Sequence, residues 1–306
     1  MTLENVVTAR GVQKRYGSFL ALDSVDFEIR RGITGLLGAN GAGKTTLLGM
    51  ILGLHQADAG TLQVFGIDPW TAGYKVRALI GYAPEHHVLS PHVKAADFVR
   101  HVAELHGLSG AEAAVRASDA LWLVGLGEER FRPMGTMSTG QRQRVKLAQA
   151  IAHDPQLVIL DEPTDGLDPI QRENMLQLIR TVSAEYGIDM ILSSHLLEEV
   201  EMVCDNAVII GDGRTLAWGS LDELQGSTEP STELELDATE EQVAAVVASL
   251  EQSFDVSVTS RHLTIRGEST DVSARVRDIC VAQAVGIVRY AAGRRSLEDV
   301  YLERSS

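Results

Sequence analysis

Gly38-Ala39-Asn40-Gly41-Ala42-Gly43-Lys44-Thr45-Thr46 follows a short apolar run, Ile33-Thr34-Gly35-Leu36-Leu37, and leads into a stretch of helical spacing that reaches Leu54. A buried strand, a glycine-rich turn and a helix in that order form the scaffold of a phosphate cradle. Gly38, Gly41 and Gly43 permit positive φ, so consecutive backbone N–H groups, that of Asn40 among them, can turn toward one anion. The helix behind them offers the positive end of its dipole. Lys44 adds a point charge on the outer phosphates, and Thr45 offers a hydroxyl to Mg²⁺.

A cradle of this kind needs an acidic partner at the end of another buried strand. Leu157-Val158-Ile159-Leu160-Asp161-Glu162 supplies it. Asp161, at the carboxyl edge, is expected to hold Mg²⁺ directly or through water. Glu162, one residue on, points differently and is suited to orient or deprotonate an attacking water. Two adjacent acids on so apolar a strand are costly without a cation.

Outward from these two stretches the chain changes texture three times. Val6–Tyr16, Leu22–Ile29 and Thr61–Phe65 alternate as strands punctuated by glycine. From about 91 to 150 the spacing is helical, with helices expected over Lys94–His106, Glu112–Leu123 and Thr139–Ala152. Then Leu157–Leu160 and Met190–Ser193 read as buried parallel strands joined by a crossover helix, Gln171–Tyr186. Asp212-Gly213 marks a hairpin between Ala207–Gly211 and Arg214–Trp218. A polar stretch, 225–231, is expected to be a linker. Residues 232–306 read strand, helix, strand, strand, helix, strand and a short terminal helix at Leu297–Leu302. The fold class expected is therefore α/β: a mainly parallel core sheet, an antiparallel β lobe and a helical lobe within 1–224, then a small α+β domain.

Composition narrows the partners. Lys and Arg number 27 against 42 Asp and Glu, a net charge of −15, which is a poor surface for a phosphate backbone, so no nucleic-acid partner is expected. The two cysteines, Cys204 and Cys280, lie far apart without metal spacing and read as small buried hydrophobes. Met1 to Gln13 holds no apolar core of signal-peptide length, and no apolar run approaches a membrane span. The expectation is a soluble, cytoplasmic chain whose membrane role, if any, comes through a partner.

Between cradle and acidic strand stands Met137-Ser138-Thr139-Gly140-Gln141, which resembles the signature sequence of ATP-binding cassette (ABC) proteins, usually Leu-Ser-Gly-Gly-Gln. Met137 and Thr139 depart from that form; Ser138, Gly140 and Gln141 keep it. Ser138 is also well placed as a helix N-cap, aiming a dipole end outward as an anion site. The resemblance extends from Val6 to about Leu224. It implies that Lys44, Thr45, Thr46 and the Gly38–Gly43 turn bind the phosphates of ATP, that Tyr16 stacks on adenine, and that His195 is the switch histidine reaching the γ-phosphate. It makes Thr164-Asp165-Gly166-Leu167-Asp168 a loop at a dimer interface, with Asp168 near nucleotide. Taken alone, His195 reads as a hydrogen-bonded strand-end residue and Tyr16 as strand packing. Where the family usually has Gln in the loop joining its lobes, this chain has Glu85, which can still take a Mg²⁺ ligand position.

The resemblance further implies an ATPase that works as a head-to-tail dimer. Cradle and signature of one molecule lie too far apart to share a nucleotide, so Ser138, Gly140 and Gln141 would close over ATP held by a second copy. Glu162 and His195 would set up hydrolysis. A solitary cassette implies a separate integral membrane permease, docked near 91–150 and the Glu85 loop, which holds the chain at the inner face of the membrane. The run Ser296 to Leu302 is similar to the tails of bacterial exporter cassettes, which favours export. Two other readings stand beside this one. A repair or translation cassette would need long coiled-coil arms or a second cassette, and an unrelated P-loop kinase would leave Ser138–Gln141 and His195 unexplained.

Overall fold

The computed structural model describes residues 5–85, 89–225, 231–259, 262–266, 269–293 and 296–305. The first compact unit comprises 1–224 together with 301–306, and the second comprises 225–300.

The first unit begins with two long strands, β1 (Asn5–Tyr16) and β2 (Phe19–Arg30), followed by β3 (Ile33–Leu37), α1 (Lys44–Ile51), β4 (Ala59–Val64), α2 (Gly73–Leu79) and β5 (Ile80–Ala83). The helical region follows: α3 (Ala95–Leu105), α4 (Gly110–Leu123) and α5 (Thr139–Ile151). Strand and helix then alternate through β6 (Leu157–Asp161), α6 (Pro169–Tyr186), β7 (Asp189–Ser194), α7 (Leu197–Val203), β8 (Asn206–Gly211), β9 (Arg214–Ser220) and α8 (Leu221–Gln225). The order β2-β1-β4 makes an antiparallel lobe, and the order β5-β6-β7-β3-β8-β9 makes the central sheet, parallel except for β9.

Every residue of β3, β6 and β7 is buried, as continuous apolar runs in a sheet covered on both faces require. Leu47, Leu48 and Ile51 of α1 join Leu157, Ile159 and Ile191 in one core with Phe27 and Leu22 of the antiparallel lobe. Each such side chain contributes about 1.5–3 kcal/mol on leaving water. This core anchors the cradle: α1 is bolted to the sheet by its apolar face.

Element ends follow capping chemistry. Asp168 Oδ1 accepts from Gln171 N at 2.9 Å and Pro169 occupies the first turn, so α6 starts two residues before the expected Gln171. Ser109 Oγ accepts from Glu112 N at 3.3 Å and pulls the start of α4 back to Gly110. α1 closes at Ile51, short of the expected Leu54, with Leu52 as its C-cap. Four elements escaped the periodicity: α2, β5, α7 and α8, each of four to seven residues, too short to show a repeat.

The second unit carries β10 (Ser231–Asp237), α9 (Glu240–Leu250), β11 (Asp255–Thr259), β12 (His262–Arg266), α10 (Ser269–Ala282), β13 (Gly286–Gly293) and the first turn of α11 (Leu297–Ser305). Its antiparallel sheet, ordered β11-β12-β10-β13, buries Leu234, Leu236, Leu263 and Ile265 against Val246 and Leu250 of α9 and Val272 and Val276 of α10. Of the expected linker, Gln225 is the last residue of α8 and Ser231 opens β10, while 226–230 lie outside the described residues. Tyr301–Ser306 group with the first unit, where Arg304 reaches the carbonyl of Leu216 in β9 at 3.5 Å.

Candidate functional site

Three loops leave the carboxyl edge of neighbouring strands at one level. β7 lies between β3 and β6, and its last residues pair with both: Leu37 with Ser194, and Asp161 with Ser193. Beside them Ala83 pairs with Leu160, which sets the Glu85 loop at the same edge. Parallel pairing in register is what brings the cradle, the two acids and His195 together from distant parts of the chain.

The cradle is held open by its glycines. Gly41 has φ +85° and Gly43, the N-cap of α1, φ +107°, backbone that L side chains rarely adopt. A Cβ on Gly43 would stand 2.9 Å from the carbonyl oxygen of Ala21. Lys44 is buried, its Nζ donating to the Gly38 carbonyl at 2.6 Å and standing 3.8 Å from Glu162 Oε1. Burial lowers its pKa against the pull of Glu162, Asp161 and Glu85, so a desolvated lysine head stands among three acids. A cleft of about 250 Å³ opens here, lined by Asn40, Gly41, Gly43, Lys44, Thr45 and Thr46 on one side and Glu85, Asp161 and Glu162 on the other.

Glu162 adopts φ +49°, an uncommon conformation for a residue with a side chain, stabilised by its N–H donating to the Ser193 carbonyl at 3.0 Å. The turn swings its carboxylate onto His195, with Nδ1 2.9 Å from Oε2. Burial raises the pKa of Glu162, with His195 and Lys44 opposing the rise. Asp161 is likewise raised by burial. Burial beside Asp161 pushes the Tyr82 phenol up to about 12, so it keeps its proton and donates to Asp161 Oδ2 at 3.5 Å.

The donor set fits Mg²⁺. Thr45, Asp161 and Glu85 face the one cleft, giving a hydroxyl and two carboxylates, the hard oxygen ligands that Mg²⁺ takes together with phosphates and water. Among the described residues no group of three or more His, Cys, Asp or Glu gathers as an all-protein cage. The buried Asp161 carboxylate, whose ionised form burial disfavours, is what a cation would relieve.

Ser138, Gly140 and Gln141 are elsewhere. Ser138 caps α5 in a reciprocal box with Gln141, its Oγ accepting from Gln141 N at 3.2 Å and its N–H donating to Gln141 Oε1 at 3.1 Å. Together with Gly140 they line a second cleft of about 180 Å³, with Leu167 and Gln171 behind, that shares no lining residue with the first. Asp168 caps α6. Tyr16, at the end of β1, is exposed, set edge-on to His55 at 5.9 Å with the Lys14 ammonium 5.5 Å from its ring centre; it does not line the cradle cleft. The aromatic that does is Phe19, which sequence reasoning missed because it opens β2 with no spacing signal. Also missed were Lys146 and Gln149 of α5, which donate to the carbonyls of Glu85 and Tyr82, each at 2.7 Å, and tie the Glu85 loop to the helix that Ser138 caps. Lys146 and Gln149 share their helix face with Arg142 and Gln143, so no break in an apolar pattern marked them.

Fold and cleft define a P-loop nucleoside triphosphatase. A family model described as ABC transporter matches residues 22–165. The linearmycin resistance ATP-binding protein LnrL of Bacillus subtilis (strain 168) is 34% identical over 272 residues, 88% of this chain and 86% of that protein. The bacitracin transport ATP-binding protein BcrA of Bacillus licheniformis is 31% identical over 305 residues, covering 98% and 97%. Among solved structures, cbiO1 of Clostridium perfringens, part of the ABC transporter complex cbiONQ, superposes with a TM-score of 0.67 at 27% identity, over 72% of this chain and 90% of that one. The dimeric post-hydrolysis structure of the ATP-binding cassette MJ0796 with ADP and Pi gives 0.63 at 25% identity, over 71% and 99%. The chain belongs to the ABC transporter family and is an ATP-binding, ATP-hydrolysing subunit. The repair or translation alternative finds no support in these likenesses.

Proposed function

We propose that two copies of this chain sandwich two ATP molecules head to tail and so drive a separate membrane permease in export. The observation that carries the reading is the separation of Ser138, Gly140 and Gln141 from the cradle cleft: each molecule has both halves of a nucleotide site, in different places. The dimeric relative with ADP and Pi supports it. In cis, the N–H groups of Asn40, Gly41 and Gly43 with Lys44, Thr45 and Thr46 bind the phosphates, and Tyr16 stacks on adenine. In trans, the capped end of α5 brings its N–H groups to the γ-phosphate, with Asp168 beside it. Mg²⁺ held by Thr45, Asp161 and Glu85 would neutralise charge between the outer phosphates. Glu162 takes the proton of the attacking water while His195 holds its carboxylate and reaches the γ-phosphate.

Closure is coupled outward through α5, because Lys146 and Gln149 join the signature helix to the Glu85 loop. That loop and the helical region 91–150 form the surface for a cytoplasmic helix of the permease. No helix among the described residues is long and apolar enough to cross a membrane, which suits a chain held at the inner face by its partner. Glu162→Gln should trap an ATP-bound dimer by light scattering, and adding Ser138→Arg should return it to monomer. A monomeric Glu162→Gln variant in saturating ATP with Mg²⁺ defeats this reading.

A further inference from the structure

Glu199 of α7 is almost fully buried, yet it carries a carboxylate that no role described above uses. Its two oxygens are engaged on separate segments. Oε1 accepts from Thr164 Oγ1 at 2.7 Å, and Oε2 accepts from Ser194 Oγ at 2.7 Å. The Ser194 hydroxyl in turn accepts from Leu196 N at 3.0 Å, which shapes the turn that carries His195. Arg172 of α6 stands 3.3 Å from Oε1 by its Nε, and its own N–H bonds the Asp168 carbonyl at 2.9 Å.

Thr164 lies two residues past Glu162, Ser194 directly precedes His195, and Arg172 lies one turn into the helix that Asp168 caps. The Glu162 and His195 loops are therefore bridged twice, at their tips by the Glu162–His195 contact and at their base by Glu199. Burying a carboxylate is costly unless its partners are well aligned. A purely apolar residue would fill the same space at less cost, but it would leave the loops free to part.

We propose that Glu199 is a positioning residue that locks the Glu162 loop, the His195 turn and the Asp168 end of α6 into one rigid bracket, so that closure at the dimer surface aligns the water-activating pair. This rests on the site roles given under the proposed function. Bracketing of this kind acts on turnover more than on binding, because a misplacement near 1 Å at the reacting group is felt in the chemical step. Nucleotide is gripped by the cradle, whose α1 and β3 do not touch the Glu199 oxygens.

The test uses the full chain, with kcat, KM for ATP and the ADP dissociation constant measured for Thr164→Val, Ser194→Ala, their double variant, Glu199→Ala and Glu199→Gln. The single hydroxyl deletions keep shape and folding even where Glu199→Ala does not fold. Expected are falls in kcat on the order of 10–100-fold with the ADP constant changed less than about twofold. The double variant should cost little more than either single one, as for residues acting as a unit. Glu199→Gln should retain kcat within about fivefold of wild type, since its amide can accept from Thr164 and donate to Ser194. Folded Thr164→Val and Ser194→Ala with wild-type kcat overturn the bracket, as does Glu199→Gln falling as low as Glu199→Ala. Glu162→Gln, measured alongside, separates the two ideas: if it turns over ATP normally the site reading itself is wrong, and if it alone is inactive only the bracket fails.

Discussion

At Glu162 backbone and side chain pull in opposite directions. A φ of +49° on a residue with a Cβ is strained by about 1 kcal/mol, and the carboxylate is buried as well. The strain is what turns the carboxylate away from Asp161 and onto His195, so local stability is given up for placement. Glu162→Gly should raise the melting temperature by a few degrees, equivalent to about 1 kcal/mol, while hydrolysis falls at least about 100-fold. A calorimetric scan beside a phosphate-release assay checks both. The adjacency of Asp161 and Glu162 was legible in the sequence as a costly pair on an apolar strand. The positive φ was not, because nothing in the residue types demands it; it follows from Ser193 offering its carbonyl to the Glu162 N–H.

Among the elements, α5 does most to join the parts of the site, and its two ends obey different chemistry. Its start is fixed by the Ser138–Gln141 box, a signal readable from four residues. Past its other end His153 stacks on His106, the C-cap of α3, with ring centres 3.6 Å apart, and its Nε2 meets the Ile80 carbonyl at 3.2 Å. Burial, with His106 nearby, drops the His153 pKa to about 4. The folded imidazole is thus neutral at pH 5 while the unfolded one takes a proton below about 6.5. Stability should therefore fall as pH drops from about 6.5 to about 4, by at most about 3 kcal/mol from this residue, and the slope should end there. Urea melts at several pH values would show it, and His153→Gln should flatten it. Neither histidine stood out in the sequence, since they meet only when the ends of α3 and α5 pack.

On the scale of the whole molecule the chain divides into two compact units, one with a core around Leu47, Ile159 and Ile191 and the other with a core around Leu234, Val246 and Ile265. Two units, each with its own core, predict two calorimetric transitions. ATP with Mg²⁺ at about 100 times its dissociation constant should raise only the transition of the unit bearing the cradle, by about 2.7 kcal/mol. A single shifted peak would show that the cores melt as one. The sequence by itself determined the α/β class, the cradle, the acidic strand and the signature, because each is a local pattern whose physics is complete within a dozen residues: glycines free a backbone, a cap ends a helix, an apolar run is buried. It also placed a second α+β region after 231. Only the tertiary structure decided that β7 runs between β3 and β6, that Phe19 lines the cleft, that Lys146 grips the Glu85 loop and that Glu199 joins three segments. Those contacts are made between residues far apart in the chain, and no spacing along a sequence encodes which strand edges come level once the sheet has closed.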